Sequence, residues 1–348
     1  MIFNNKTLLV TGGTGSFGKV FIRRILSDER GQPKKIIVFS RDEAKQHDMR
    51  LYYMKLNGYL CKKFKELVEF QIGDVRNYAD ICSAVSRADV IVNAAALKQV
   101  PSCEYFPLQA IQTNCLGPSN IVRAIEENHY PVETVLGIST DKACKPVNVM
   151  GMTKALQERI FISANLKSPT RFICVRYGNV LASRASVIPF FHEQIRSGGP
   201  VTVTHESMTR FLISLDQAVD IVLEAIKYGN RGETFIPIAP AANVLDIAKV
   251  LVGDKKIEIK VTGIRPGEKL HEILVSEEEV LRTYKRDNYY VILPVVPEGC
   301  NLPSGPWLKK EYSSDDRVFN IDELRHFLEN KDLLKTEQQF QEGVELLK

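Results

Sequence analysis

The sequence lacks any cysteine pair that could open a disulfide framework or a structural zinc site. Seven cysteines (Cys61, Cys82, Cys103, Cys115, Cys144, Cys174 and Cys300) are scattered over 348 residues. Their number is odd and none shows Cys-x-x-Cys spacing, which argues against both. The six histidines form no His-x-x-x-His pair, so no metal centre is expected. Free thiols point to a reducing, cytoplasmic setting. No apolar run approaches the ~18 residues that would cross a bilayer. The opening Met1-Ile2-Phe3-Asn4-Asn5-Lys6 has no signal-peptide pattern, so no membrane partner is expected. An excess of one charge is also missing. Lys and Arg number 46 against 42 Asp and Glu, a net +4, too small a surplus for a dedicated nucleic-acid binder. What remains is 44% hydrophobic residues, ordinary for a globular chain with a sizeable core.

The first half alternates short β-branched runs with helical patterns. Leu8-Leu9-Val10, Ile36-Ile37-Val38-Phe39, Val68 to Ile72, Val90-Ile91-Val92, Thr134 to Ile138 and Phe172 to Val175 read as strands buried on both faces. Phe17 to Leu26, Leu108 to Ile125 and Ala155 to Ile162 carry apolar residues three and four apart. This alternation predicts an α/β, Rossmann-like doubly wound parallel sheet over residues 1–178. Residues 179–348 read mainly as a smaller α/β substrate-binding cap and a C-terminal tail. A helix near 215–228 is expected to return to the first domain.

The first strand runs into Thr11-Gly12-Gly13-Thr14-Gly15-Ser16-Phe17-Gly18. Glycines three apart, between a strand and a helix, let the backbone approach a pyrophosphate beside the helix N-terminus. The second strand ends at Ser40-Arg41, with Lys45 a turn later, where NAD-selective folds usually carry a carboxylate. A hydroxyl with cations suits a 2′-phosphate, so NADP is favoured over NAD. Asp42 falls one residue beyond that strand end. Asp74 and Val75 close the third strand, where an adenine would lie. Ala94 and Ala95 follow the fourth and leave room beside a cofactor. The bland alternatives are a glycine-rich turn, solvated cations and alanine packing.

Taken together, Thr11 to Gly18, Phe39 to Glu43, Gly73 to Arg76, Ala95 to Pro101, Ser139-Thr140-Asp141-Lys142-Ala143, Arg176 to Val180 and Arg265-Pro266-Gly267-Glu268-Lys269 resemble the extended short-chain dehydrogenase/reductase family over nearly the full length. Within it, the likeness is to nucleotide-sugar 4,6-dehydratases that invert C5, of the capsule and O-antigen (CapE-like) type. The family's usual Tyr-x-x-x-Lys pair stands here as Met150-Gly151-Met152-Thr153-Lys154. A thioether carries no acidic proton, so Met150 cannot be the base. The same methionine replacement belongs to the CapE-like branch.

Chemistry then centres on Thr140, Asp141 and Lys142, after the fifth strand, where ligands sit in open parallel sheets. The resemblance implies Lys142 as the base at sugar C5 and Asp141 as the acid for the departing C6 hydroxyl. Retaining dehydratases carry Asp-Glu there and 4-epimerases small residues. The group that deprotonates the C4 hydroxyl stays open among Lys154, a bound water and Thr140.

The resemblance further implies a UDP-sugar substrate, UDP-N-acetylglucosamine. Lys98, Asn179, Arg184, Arg210, Arg265 and Glu268 are its candidate contacts, and Lys154 is shared with the cofactor. It also implies a homo-oligomer, with a hexamer as one form. The rivals are a UDP-hexose 4-epimerase, a plain alcohol dehydrogenase and an NADP-binding protein without activity.

Overall fold

The computed structural model describes residues 1–56, 58–181, 186–295 and 307–334. Its centre is a nine-stranded sheet built from β1 (Thr7–Thr11), β2 (Lys35–Ser40), β3 (Val68–Ile72), β4 (Val90–Asn93), β5 (Thr134–Thr140), β6 (Arg171–Tyr177), β7 (Thr234–Pro237), β8 (Thr283–Arg286) and β9 (Tyr289–Ile292). The order across the sheet is β8-β9-β7-β6-β5-β4-β1-β2-β3. From β3 to β7 every neighbour is parallel, while β9 meets β7 and β8 antiparallel.

Successive side chains in a strand point to opposite faces, and the buried strands show it directly. Leu8, Val10, Ile36, Val38 and Val92 join one apolar cluster; Leu9, Ile37, Phe39 and Ile91 join another on the other face. Both clusters are dry because helices cover both sides. The helix α1 (Ser16–Leu26) buries Val20, Phe21 and Ile25. It lies against α4 (Leu215–Tyr228), which also packs on β6. Ser214 starts α4 with a reciprocal capping box to Gln217, satisfying two otherwise open backbone donors. The fold is thus a Rossmann-like doubly wound α/β sheet with a smaller cap.

Residues beyond 178 give more to the sheet than the sequence pattern shows. Besides α4, the strands β7, β8 and β9 come from this half. Thr234-Phe235-Ile236-Pro237 is short, and Lys285 and Arg286 on the β8 edge break the apolar alternation that marks a strand. The cap has its own core, in which Ile188, Phe191, Val203, Leu212 and Ile247 pack with Leu324 and Leu328. The last two lie on the helix Ile321–Glu329, so the start of the tail is cap packing. No helix among the described residues is long and apolar enough to cross a membrane.

Candidate active site

The sheet order reverses between β2–β1 and β1–β4, which opens the crevice where ligands sit in such folds. Thr11 at the end of β1 ties the crevice walls together. Its hydroxyl donates to Asn93 Oδ1 at 2.7 Å and accepts from the Ala95 N–H at 3.2 Å. Gly12 has φ +64°, and a Cβ there would stand 2.9 Å from the Ala95 backbone, so only glycine fits. Gly15 is the N-cap of α1 and offers no side-chain cap. The first N–H groups of α1 are therefore free of such a cap, as a pyrophosphate site requires. Thr14 is buried in this loop, and Phe17 stacks on Phe21. These residues fit a dinucleotide.

At the end of β2, the Ser40 hydroxyl accepts from Gln46 at 3.2 Å. Arg41 is 57% exposed and its guanidinium is 3.7 Å from Asp74. Asp74 is clamped by Arg76 at 2.6 Å. Burial favours the neutral carboxyl of Asp74, but the Arg76 hydrogen bonds outweigh it and hold the group below the usual carboxylate range. Lys45 bonds the Asp42 carboxylate, which caps the helix α2 (Glu43–Lys55). Of the two cations proposed for a 2′-phosphate, Arg41 is the more open. Val75 is buried, Ala94 and Ala95 are half-buried, and Lys98 is exposed.

The candidate chemical centre lies where β5 ends. Thr140 caps the short turn Asp141–Ala143. Its hydroxyl donates to Asp141 Oδ1 at 2.8 Å. Lys142 Nζ donates to the same oxygen at 3.1 Å and to Asn179 Oδ1 at 3.3 Å. A second carboxylate, Glu272, stands 3.2 Å from Lys142 Nζ, and Arg210 Nε lies 3.7 Å from it. Asp141 is fully buried, Glu272 is 1% exposed, and each leaves one oxygen without a hydrogen-bond partner.

Burial drives the Asp141 carboxyl above its usual range, and the nearby Glu272 adds to this. Burial also opposes charge on Lys142, but Asp141 and Glu272 outweigh it and raise the group. For Glu272, burial is outweighed by Lys142 and Arg210, which lower it. Lys142 therefore rests as an ammonium between two carboxyl groups, so a base role at C5 draws on its minor amine form.

The Met150–Lys154 segment lies on α3 (Val149–Ala164), capped by Asn148. Met150 is buried among Leu97, Val100, Cys103, Ala110 and Val149. A Cβ on Gly151 would sit 2.1 Å from the Lys142 carbonyl oxygen, so glycine lets α3 press against the Asp141–Ala143 turn. Lys154 Nζ donates to Ile138 O at 2.5 Å and to Gln157 Oε1 at 2.6 Å. Burial pushes it down to about 8.

The Arg265–Lys269 loop closes over this helix start, because Asn148 Nδ2 donates to Gly267 O at 2.8 Å and Lys269 bonds the Cys144 carbonyl. Arg265 is exposed, and its N–H donates to Glu268 at 3.3 Å. The family position implies a nucleotide contact for Arg210. Here its guanidinium is buried and donates to the carbonyls of Thr209, Lys269 and Leu270, at 2.7, 3.0 and 3.2 Å. Its Nε faces Glu272, beside Lys142. Arg184 lies outside the described residues.

Two positions escape a reading of the sequence. Glu272 follows the Arg-Pro-Gly-Glu-Lys run by three residues, but nothing linear marks a glutamate as buried beside a lysine far away in sequence. Asn114 sits in a π-turn (Gln112–Leu116). Its side chain accepts from Leu97 N at 2.8 Å and donates to Leu97 O at 2.9 Å and Thr153 Oγ1 at 3.0 Å. It thus pins the segment after β4 to α3. Such bulges often mark functional sites, which is the signal available.

Residues 8–294 match the family model described as polysaccharide biosynthesis protein. A relative from Rickettsia bellii (strain OSU 85-389), named UDP-glucose 4-epimerase, is 42% identical over 352 residues, covering 97% of this chain and 99% of the relative. The X-ray structure of Pen from Bacillus thuringiensis superposes with a TM-score of 0.85 at 34% identity, covering 96% of this chain and all of that one. DesIV from Streptomyces venezuelae, a dTDP-glucose 4,6-dehydratase solved with NAD bound, shares the fold at a TM-score of 0.65 and 17% identity, covering 76% of this chain and 86% of its own. Sequence match and sheet topology converge on one assignment: the chain belongs to the polysaccharide biosynthesis protein family and carries a Rossmann-like fold shared with DesIV.

Proposed function

We propose that the chain is an NADP-dependent nucleotide-sugar 4,6-dehydratase that inverts C5. Its substrate is UDP-N-acetylglucosamine, its product a UDP-2-acetamido-2,6-dideoxy-L-hexos-4-ulose, and its setting the cytoplasmic synthesis of surface polysaccharide. The observation that carries this is the buried Asp141–Lys142–Glu272 cluster beside an α3 helix that holds methionine where a phenol would stand. Epimerisation at C4 needs oxidation and reduction at one carbon and one base for its hydroxyl. Loss of water across C5 and C6 needs, in addition, a proton acceptor at C5 and a proton donor at C6. A protonated Asp141 suits the donor, and Lys142 in its amine form suits the acceptor.

The nicotinamide cofactor supplies, when bound, oxidation at C4 and reduction at C6. Gly12, Gly15, Ser16 and the start of α1 would hold its pyrophosphate, with Ser40, Arg41 and Lys45 at the 2′-phosphate. Lys154, held near 8 by burial, is the favoured acceptor for the C4 hydroxyl proton. Because only the amine form accepts, the rate should rise as pH passes about 8. Lys98, Asn179, Arg265 and Glu268 would meet the UDP-sugar. Exposed Tyr105, Phe106, Leu108, Met152 and Leu156 on neighbouring helices favour a homo-oligomer, which light scattering of the purified chain reads directly.

The name of the Rickettsia bellii relative, UDP-glucose 4-epimerase, supports a second reading as a 4-epimerase. Proton NMR of the purified protein with UDP-N-acetylglucosamine separates the two. The dehydratase yields a new 6-methyl doublet. A clean C4 epimer without that signal would transfer the assignment to the epimerase, and an unchanged spectrum would leave a nucleotide-binding protein. Titrating NADPH against NADH in the same preparation reads the cofactor preference, with tighter NADPH binding expected.

A further inference from the structure

Glu272 carries an arrangement that neutralising a stray charge does not explain. It precedes the short strand Ile273–Val275, which pairs antiparallel with Tyr312–Ser313. Its N–H donates to Ser314 Oγ at 2.9 Å, and its carbonyl accepts from Ser314 N at 2.8 Å. Ser314 Oγ is in turn hydrogen-bonded to Thr209 Oγ1 at 2.6 Å, on the strand that carries Arg210. The backbone of Glu272 is therefore pinned to Ser314 through both its N–H and its carbonyl. Its carboxylate faces Lys142 more closely than Arg210, at 3.2 against 3.7 Å. Arg210 already spends its terminal N–H groups on three carbonyls. Lys142, by contrast, has two carboxyl groups and one amide around it, and of the two carboxyl groups Glu272 is the one that comes from the cap residues.

We propose that Glu272 is a positioning residue for Lys142: it fixes the ammonium over the end of β5 from the cap side and keeps it charged in the resting enzyme. The idea rests on Lys142 being the group that exchanges the C5 proton. Two consequences follow from removing the charge. The lysine loses an attractive neighbour, so its amine form appears at lower pH. It also loses one of its tethers, and misplacing a reacting group by about 1 Å can cost on the order of 100-fold in rate.

The test is Glu272→Gln, with Glu272→Asp as a second variant that keeps the negative charge but, one methylene shorter, draws it back from Lys142. Trace acylation by acetic anhydride across a pH series, with mass spectrometry of the lysine peptides, reads Lys142 and Lys154 separately. In Glu272→Gln the labelling midpoint of Lys142 is expected to fall by about one pH unit or more, with that of Lys154 unchanged. Product formation should fall about 10- to 100-fold in kcat with KM little altered. Glu272→Asp should shift both in the same direction by less, and it decides the matter if the glutamine variant does not fold. An unmoved Lys142 midpoint in a folded variant would overturn the proposal. The labelling needs no turnover. A wild type that forms no 6-methyl product would defeat the dehydratase reading alone and leave the Glu272 result standing.

Discussion

Replacing Arg176 with methionine is expected to destabilise the protein by about 3–5 kcal/mol, the cost of leaving buried charges without their partner. Arg176 is 3% exposed on β6. Its guanidinium reaches Glu158 on α3 at 2.6 Å and Glu279 at 2.8 Å, and it donates to the Leu274 carbonyl at 2.8 Å. One side chain therefore joins the sheet, the helix bearing Lys154 and the segment next to Glu272. Methionine fills a similar volume without charge, so the loss reads as electrostatics and hydrogen bonding more than as a cavity. Burial favours the neutral form of Glu279, yet Arg176 holds it down to about 2, against a usual 4.5. A folded value below the unfolded one means stability that is complete above about pH 4.5 and lost as pH falls toward 2. Urea unfolding at pH 7 measures the first effect. The same melts at pH 3 to 5 should show the wild type losing stability more steeply than the variant. Equal midpoints for the two proteins at pH 7 would show that the cluster contributes nothing net.

How much of this was legible beforehand depends on which physical constraint each residue obeys. The strands β1, β2 and β4 announce themselves because burial on both faces demands unbroken apolar runs such as Leu8-Leu9-Val10. The glycine turn after β1 is legible because Gly12 must adopt positive φ against Ala95, and backbone constraints leave glycine as a trace. Asp141-Lys142 is legible as a candidate pair because the two are adjacent and follow a strand. The β8–β9 hairpin is not, since an edge position tolerates Lys285 and Arg286. Nor is Glu272, because burial beside a distant lysine is a tertiary fact with no local pattern. Nor is the burial of Arg210, whose guanidinium lies against three carbonyls and the Glu272 carboxylate, contacts that only the folded chain assembles. The bond from the Lys45 ammonium to the Asp42 carboxylate that caps its helix is likewise set by the folded helix end.

Substitution of Lys142 by methionine should lower turnover by about 10²- to 10⁴-fold, the range general acid–base groups contribute. The side chain is 22% exposed, the most open member of its cluster, with Asp141 and Glu272 at its back. Lys142 is thus the member best able to meet a sugar carbon, while its partners hold it. Methionine keeps the length and removes the proton. Without the ammonium, Asp141 gains a stronger reason to stay protonated, because burial and Glu272 already favour its neutral form. That lets the pocket shed one charge, so the fold should survive while exchange at C5 stops. The discriminating measurement is turnover in D₂O. The wild type should place deuterium at C5 of the 6-methyl product, and the variant should form neither product nor C5-deuterated sugar. If the variant still incorporates deuterium at C5 while binding cofactor normally, Lys142 does not move that proton, and the task passes to Asp141 or to water. A variant that loses cofactor binding along with turnover would point to a role in shaping the end of β5. The pH dependence provides an independent check. A lysine raised by two carboxyl groups supplies little amine at neutral pH, so the C5 exchange rate should climb with pH beyond the rise set by Lys154 near 8. An exchange rate that instead levels off at pH 8 would leave Lys154 as the only lysine whose titration limits the reaction.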